Sequence, residues 1–187
     1  MRDDIRRLQK ESGITSIYVT HDQAEALAVS DEIIIMRNGS IEQKGPPQSL
    51  YHRPETAFVA NFIGESNVVE AVITEEGSRR QIVLGDARIA VSGDNDPAQP
   101  NGPVKLSLRP EVIEITTKNE SSPQTLSGVI LQSAYMGPII EYSIETKAGI
   151  LFTRAPAYAG QFKVKEEVCV RIRPEEIIII PHDGQKD

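Results

Sequence analysis

From Asn67 onward the chain is a succession of short β-branched and apolar segments closed by turn clusters, and that spacing restricts the fold more than any other feature. Residues 67–73, 80–84, 87–92, 104–108, 112–117, 127–134, 139–146, 150–154 and 168–180 read as strands, several strictly alternating between apolar and polar. Glu76-Gly77-Ser78, the run from Ser92 to Pro97 and the run from Asn119 to Pro123 separate them. Many short strands at such spacing predict a sandwich or barrel. The same region repeats itself. VKLSLRPEVIEI at 104–115 matches VCVRIRPEEIIII at 168–180, and Leu126–Ser133 echoes Asn67–Thr74. Two copies are too few for a solenoid, which needs at least three stacked repeats, so they predict paired β-units building one composite barrel.

The first 64 residues have a different texture. Residues 2–11 are charged, with Ile5 and Leu8 three apart, and predict an amphipathic helix stopped by Gly13. ITSIYVT at 14–20 is β-branched and nearly all apolar, the pattern of a strand buried on both faces. His21 and Asp22 follow directly. Asp22 with Glu25 three residues on is a capping-box pattern, predicting a helix over Gln23–Val29. Residues 31–45 read as a hairpin about Arg37-Asn38-Gly39. Pro46 and Pro47 open a short helix ending near His52, and Pro54 starts another whose Phe58, Val59, Phe62 and Ile63 share a face. The change near Gly64 to Asn67 divides the chain into residues 1–65 and 66–187, an α+β organisation.

Charge narrows the function. A net charge of −7 and a pI near 5.1 argue against nucleic acid, whose phosphates require a basic surface. No apolar run approaches the roughly 20 residues that span a bilayer, and MRDDIRRLQKE lacks the apolar core of a signal peptide. Cys169 is the only cysteine, so no intrachain disulfide forms, which fits the cytosol; on its apolar strand it reads as packing. No His, Cys or carboxylate cluster has metal-ligand spacing, and His52 and His182 are isolated. The tail after Pro181 reads as loose.

His21 is the main candidate for chemistry. It ends an expected parallel strand, where open α/β sheets bind ligands, and a neutral imidazole can donate one hydrogen bond and accept another. Asp22 reads first as a helix cap. Arg109 with Glu111 and Arg173 with Glu175 form either a charged ligand site or two strand corners with flanking charges paired, and the corner reading is preferred.

The stretch IYVTHDQAEALAVSDEIIIMRNGSIEQKGPPQSLYHRPETAFVANFIGESN resembles the end of the ATPase subunit of ABC importers, in the group that includes maltose, polyamine, sulfate and ferric-iron transporters. The LRPE of Leu108–Glu111, the IRPE of Ile172–Glu175 and SAYMG at 133–137 resemble the OB-like regulatory (TOBE) domain that follows it. The resemblance implies a C-terminal segment of an α/β ATPase domain over residues 1–65 and an all-β OB-like barrel over 66–187. It implies that His21 senses the γ-phosphate and that Asp22 lies near a dimer contact, with the Arg-Pro-Glu segments as framework. It further implies permease partners, self-association through the β domain, and a cytoplasmic place at the inner face of the plasma membrane. ATP and Mg²⁺ belong to the full-length family member. This sequence contains neither G-x-x-x-x-G-K-[ST] nor the LSGGQ signature, nor an acidic pair closing a strand before His21. The chain alone is therefore expected to need no cofactor and to be inactive, since phosphoryl transfer requires the P-loop lysine and Mg²⁺. FIGESN points to a polyamine or ferric-iron importer, polyamine slightly ahead. A stand-alone regulatory or ligand-binding OB-like module is the competing reading. An OB-fold nucleic-acid binder is a third, disfavoured by the acidic charge.

Overall fold

The computed structural model describes residues 2–76, 79–91 and 101–180. Gly77, Ser78, the run from Ser92 to Pro97 and the tail from Pro181, with His182, lie outside the described residues. The chain divides into two compact units, Met1–Glu65 and Ser66–Asp187.

The first unit contains helix α1 (Arg2–Ser12), helix α2 (Gln23–Val29), strands β1 (Ile33–Arg37) and β2 (Ser40–Gly45), and helices α3 (Pro47–His52) and α4 (Ala57–Phe62). Strands β1 and β2 pair antiparallel through a turn in which Asn38 (φ 52°) and Gly39 (φ 81°) are both left-handed. That is the primed turn an Asn-Gly pair favours, because its twist matches that of the strands. Ile33, Ile35, Leu50, Val59 and Ile63 bury together under the hairpin. α4 starts at the Thr56 cap, whose Oγ1 accepts from the Val59 N–H at 3.2 Å. Val59 and Ile63 are fully buried, while Phe58 and Phe62 stack on each other at the margin of that face, Phe62 37% exposed.

The largest departure from expectation is ITSIYVT. Residues 14–20 form no strand, and Ile17 and Val19 are 93% and 91% exposed. A strand needs a neighbour for its backbone N–H and C=O groups, and among the described residues the only sheet in this unit is the two-stranded β1–β2 hairpin.

The second unit is two five-stranded antiparallel sheets. Its strands are β3 (Asn67–Glu76), β4 (Arg79–Leu84), β5 (Ala87–Ala90), β6 (Gly102–Leu108), β7 (Ile113–Thr117), β8 (Thr125–Tyr135), β9 (Ile139–Thr146), β10 (Gly149–Pro156), β11 (Glu167–Ile172) and β12 (Ile178–Ile180). The segment 168–180 is two strands on either side of its Arg-Pro-Glu, as the repeat reads, divided by a 3-10 turn at Pro174–Glu176.

The sheet orders are β12-β6-β3-β4-β5 and β7-β11-β8-β9-β10. Position by position they set one copy of the sequence repeat against the other: β6 against β11, β3 against β8, β4 against β9, β5 against β10. The fifth strand of each sheet comes from the opposite copy. β7 follows the first Arg-Pro-Glu and joins the second sheet, while β12 follows the second and joins the first. The composite unit expected from the repeat is therefore built by strand exchange.

Alternation then fills the space between the sheets. Leu106, Leu108, Ile73, Ile82, Ile89, Leu126, Ile130, Ile144, Leu151, Val170 and Ile172 belong to one continuous core. Its pseudo-equivalent turns meet: a Cβ at Gly85 (φ +57°) would lie 3.0 Å from both Ala148 N and Leu126 Cδ2. Only glycine tolerates both that backbone and that approach.

Candidate functional site

His21 sits exposed in a bend between the extended run and α2. Local chemistry fixes the turn beside it. Asp22 caps α2, its Oδ1 accepting from the Glu25 N–H at 3.0 Å. The Asp22 N–H in turn donates to Thr20 Oγ1 at 2.9 Å. The Glu25 carboxylate accepts from Tyr18 Oη at 2.9 Å and from Thr20 Oγ1 at 3.3 Å. Only half of the capping box is present in these contacts, because Thr20 takes the N–H that the glutamate of a full box would reach. The hydrogen bond from Tyr18 to Glu25, with the charge of that carboxylate, raises the tyrosine pKa above its ordinary value of 10.0. Sequence reasoning passed over Tyr18 and Thr20. Their signal was available, since residues two apart in an extended run face the same side.

Gln23 Oε1 accepts from the Gly64 N–H at 2.9 Å, tying the start of α2 to the end of α4. On the other side of α2, Arg6 donates to Val29 O at 2.8 Å and pairs with Asp31 at 3.3 Å, which Lys10 also reaches. The His21 turn is thus anchored at both ends of its helix while its imidazole faces outward.

The Arg-Pro-Glu segments are the corners at which the chain changes sheets. In each, proline opens a 3-10 turn instead of simply ending a strand, with Val112 N–H donating to Arg109 O at 3.1 Å and Glu176 N–H to Arg173 O at 3.1 Å. The two arginines differ. Arg109 is only 2% exposed, whereas Arg173 is half-buried and reaches into the first corner. Its guanidinium donates to Glu111 O at 2.8 Å and pairs with Glu114 at 3.4 Å. Arg173 therefore meets the backbone of Glu111 and the carboxylate of Glu114, the residue facing Arg171 across β7 and β11. The carboxylates of Glu111 and Glu175 project from exposed residues.

Around the first corner, Asn67 replaces a missing strand partner. Its Nδ2 donates to Leu108 O at 3.0 Å and Phe152 O at 2.8 Å, and its Oδ1 accepts from Phe152 N at 2.6 Å. The carboxamide thus pairs with the edge of β10 as a peptide group would. The Thr153 hydroxyl lies 2.8 Å from Pro110 O and 2.7 Å from Ile113 O, sharing its proton between them. These bonds tie the first corner to β10.

Among the described residues no group of three or more His, Cys, Asp or Glu could hold a metal ion. No helix of the described residues is long and apolar enough to cross a membrane.

Comparison with known proteins places this geometry. The TOBE domain family model matches residues 106–180, from inside β6 to the end of β12, and so takes in both corners. A ferric-ion import ATP-binding protein of Rhizobium meliloti (strain 1021) is 42% identical over 181 residues, covering 96% of this chain and 50% of the relative. Its counterpart in Brucella abortus (strain 2308) is also 42% identical over 181 residues, with the same shares of each chain. That of Vibrio cholerae is 36% identical over 182 residues, covering 97% and 50%. Among solved structures, the cytoplasmic molybdate-binding protein ModG matches with a TM-score of 0.50 and 14% identity, over 62% of this chain and 96% of its own. At that identity the likeness is one of fold, in keeping with the OB-like expectation. These three relatives carry ferric iron in their names, which lends the polyamine preference no support. The chain spans about half the length of the curated relatives it matches. The chain thus carries a match to the TOBE domain at 106–180 and is similar along nearly its whole length to half of these ferric-ion import ATP-binding proteins.

Proposed function

We propose that the chain acts as the C-terminal part of the ATP-binding subunit of a ferric-iron importer. In this reading residues 1–65 complete an ATPase domain and residues 66–187 regulate and hold together a pair of subunits. The observation that carries it is the run Ile14–Thr20. Its Ile17 and Val19 are almost fully exposed although its composition is that of a strand buried on both faces. Such a segment fits a sheet whose other strands come from residues the relatives have in addition. His21 would then stand at the C-terminal edge of that sheet, where its imidazole can meet a terminal phosphate, and Asp22 would lie near the facing subunit. ATP and Mg²⁺ would be held by groups outside this chain. The permease would be the membrane partner, placing the protein at the cytoplasmic face.

The test is reconstitution with a polypeptide carrying the other half of the Rhizobium meliloti relative. The chain alone is expected to show no Mg²⁺-dependent ATP turnover. The mixture is expected to regain it and to lose it again with His21→Ala. Turnover by the chain alone, or a mixture indifferent to His21→Ala, would overturn the reading.

A further inference from the structure

The start of α2 carries more hydrogen bonds than a helix cap requires. Asp22 Oδ1 accepting from the Glu25 N–H already makes the side-chain cap. Three further bonds run backward across the corner. Tyr18 Oη donates to Glu25 Oε2 at 2.9 Å, Thr20 Oγ1 donates to the same oxygen at 3.3 Å, and the Asp22 N–H donates to Thr20 Oγ1 at 2.9 Å. The first two touch no backbone group of the helix. They fasten a carboxylate carried by α2 to the run that precedes it.

Thr20 is the centre of this clasp. A hydroxyl has one proton to give and lone pairs to accept with, and Thr20 uses both, so one side chain before His21 grips two groups after it. The helix it grips is itself held, by Gln23 on the Gly64 N–H at one end and by Arg6 on Val29 O at the other. The run is thereby set against an anchored helix, and His21 is the residue at the corner. Its imidazole is exposed, so its direction follows from the backbone of the corner and not from packing. Residues two apart in an extended run face the same side. Tyr18 and Thr20 therefore turn together toward α2, and Ile17 and Val19 turn away into solvent.

We infer that Thr20 is a positioning residue for His21. Its hydroxyl sets the angle at which the run enters α2, and so where the imidazole stands, with Tyr18 and Glu25 as its support. The inference rests on the ATPase reading of His21 and adds to it a residue that never meets the nucleotide. A group that must meet a terminal phosphate tolerates little error, since a misplacement of about 1 Å can cost on the order of 10²-fold in rate. Valine keeps the shape of threonine without the hydroxyl, and serine keeps the hydroxyl without the methyl. The two substitutions separate hydrogen bonding from packing.

The test has two parts. In the full chain by itself, the Asp22 amide is expected to exchange with solvent at least about tenfold faster in Thr20→Val, with Thr20→Ser close to wild type and circular dichroism unchanged in both. In the mixture with the other half of the Rhizobium meliloti relative, Thr20→Val is expected to lower kcat by about ten- to a hundredfold while KM for ATP stays within about twofold. Thr20→Ser is expected to recover most of that loss. A fall in kcat at constant KM with rescue by serine marks a displaced group, which a loosened fold would not produce. An Asp22 amide indifferent to Thr20→Val, or a Thr20→Ser variant as poor as Thr20→Val, would overturn the inference. A mixture that needs His21 but not Thr20 would sink it alone, whereas a silent wild-type mixture would sink the ATPase reading and this one with it.

Discussion

In residues 66–187 sequence alternation and burial agree: Leu106, Ile130, Ile144 and Val170 face one core, and both sheets close over it. In residues 1–65 they part company. The hairpin buries Ile33 and Ile35 but presents Ile34, Met36 and Ile41 to solvent, and the run through Ile17 and Val19 joins no sheet. Both regions are rich in β-branched residues, so composition does not separate them. What separates them is whether each apolar face finds an opposing layer. In the C-terminal unit the opposing layer is the other copy of the repeat, supplied by the same stretch of chain. Among the described residues, the N-terminal unit contains no second layer for the faces of 14–20, and leaving such residues in water forfeits the hydrophobic term that would fix them.

Hydrogen exchange would sharpen this contrast most. Amides of β8 and β9 are expected to exchange only through global opening, about three orders of magnitude more slowly than those of residues 14–20. Comparable protection of Ile17 and Ile144 would break the comparison. Next in size, Ile130→Ala is expected to cost about 2–5 kcal/mol in denaturant unfolding, against less than about 0.5 kcal/mol for Val19→Ala. Asn67→Ala removes the carboxamide that pairs with the β10 edge and is expected to cost about 1–3 kcal/mol, read as a lower unfolding midpoint. An unchanged midpoint would mean that water replaces the carboxamide at the Phe152 edge. Gly85→Ala places a Cβ at φ +57° between two turns, with an expected loss of about 1–2 kcal/mol. The smallest effect belongs to the N-terminal unit: Asp22→Ala should cost about 1 kcal/mol of local helix stability, visible as increased fraying of Gln23–Val29 by NMR and not in global unfolding.

The legible parts of this fold were those set by local pattern. The Asn38-Gly39 turn, the Asp22 cap and most β-strands are dictated by residues close in sequence, and the repeated Arg-Pro-Glu announced a paired β-unit. The candidate site was legible only as residue types. His21 stood out through its neighbours, but the Tyr18–Glu25 and Thr20–Asp22 contacts depend on how the extended run turns. Arg109 and Arg173 look equivalent in the sequence, yet one is buried and the other braces the opposite corner, because the strands they precede enter different sheets.

By itself, the sequence determined roughly where most strands after Asn67 lie, where the texture changes near Gly64, and that two copies of one motif must cooperate. These follow from side-chain periodicity and turn chemistry, which act over a few residues. Only the tertiary structure decided that β7 and β12 change sheets, that Asn67 serves as a peptide mimic at the β10 edge, and that ITSIYVT stays out of any strand. Each of those outcomes depends on which backbone groups and apolar faces meet across tens of residues. Pairing is a property of two segments at once, and neither segment encodes it alone.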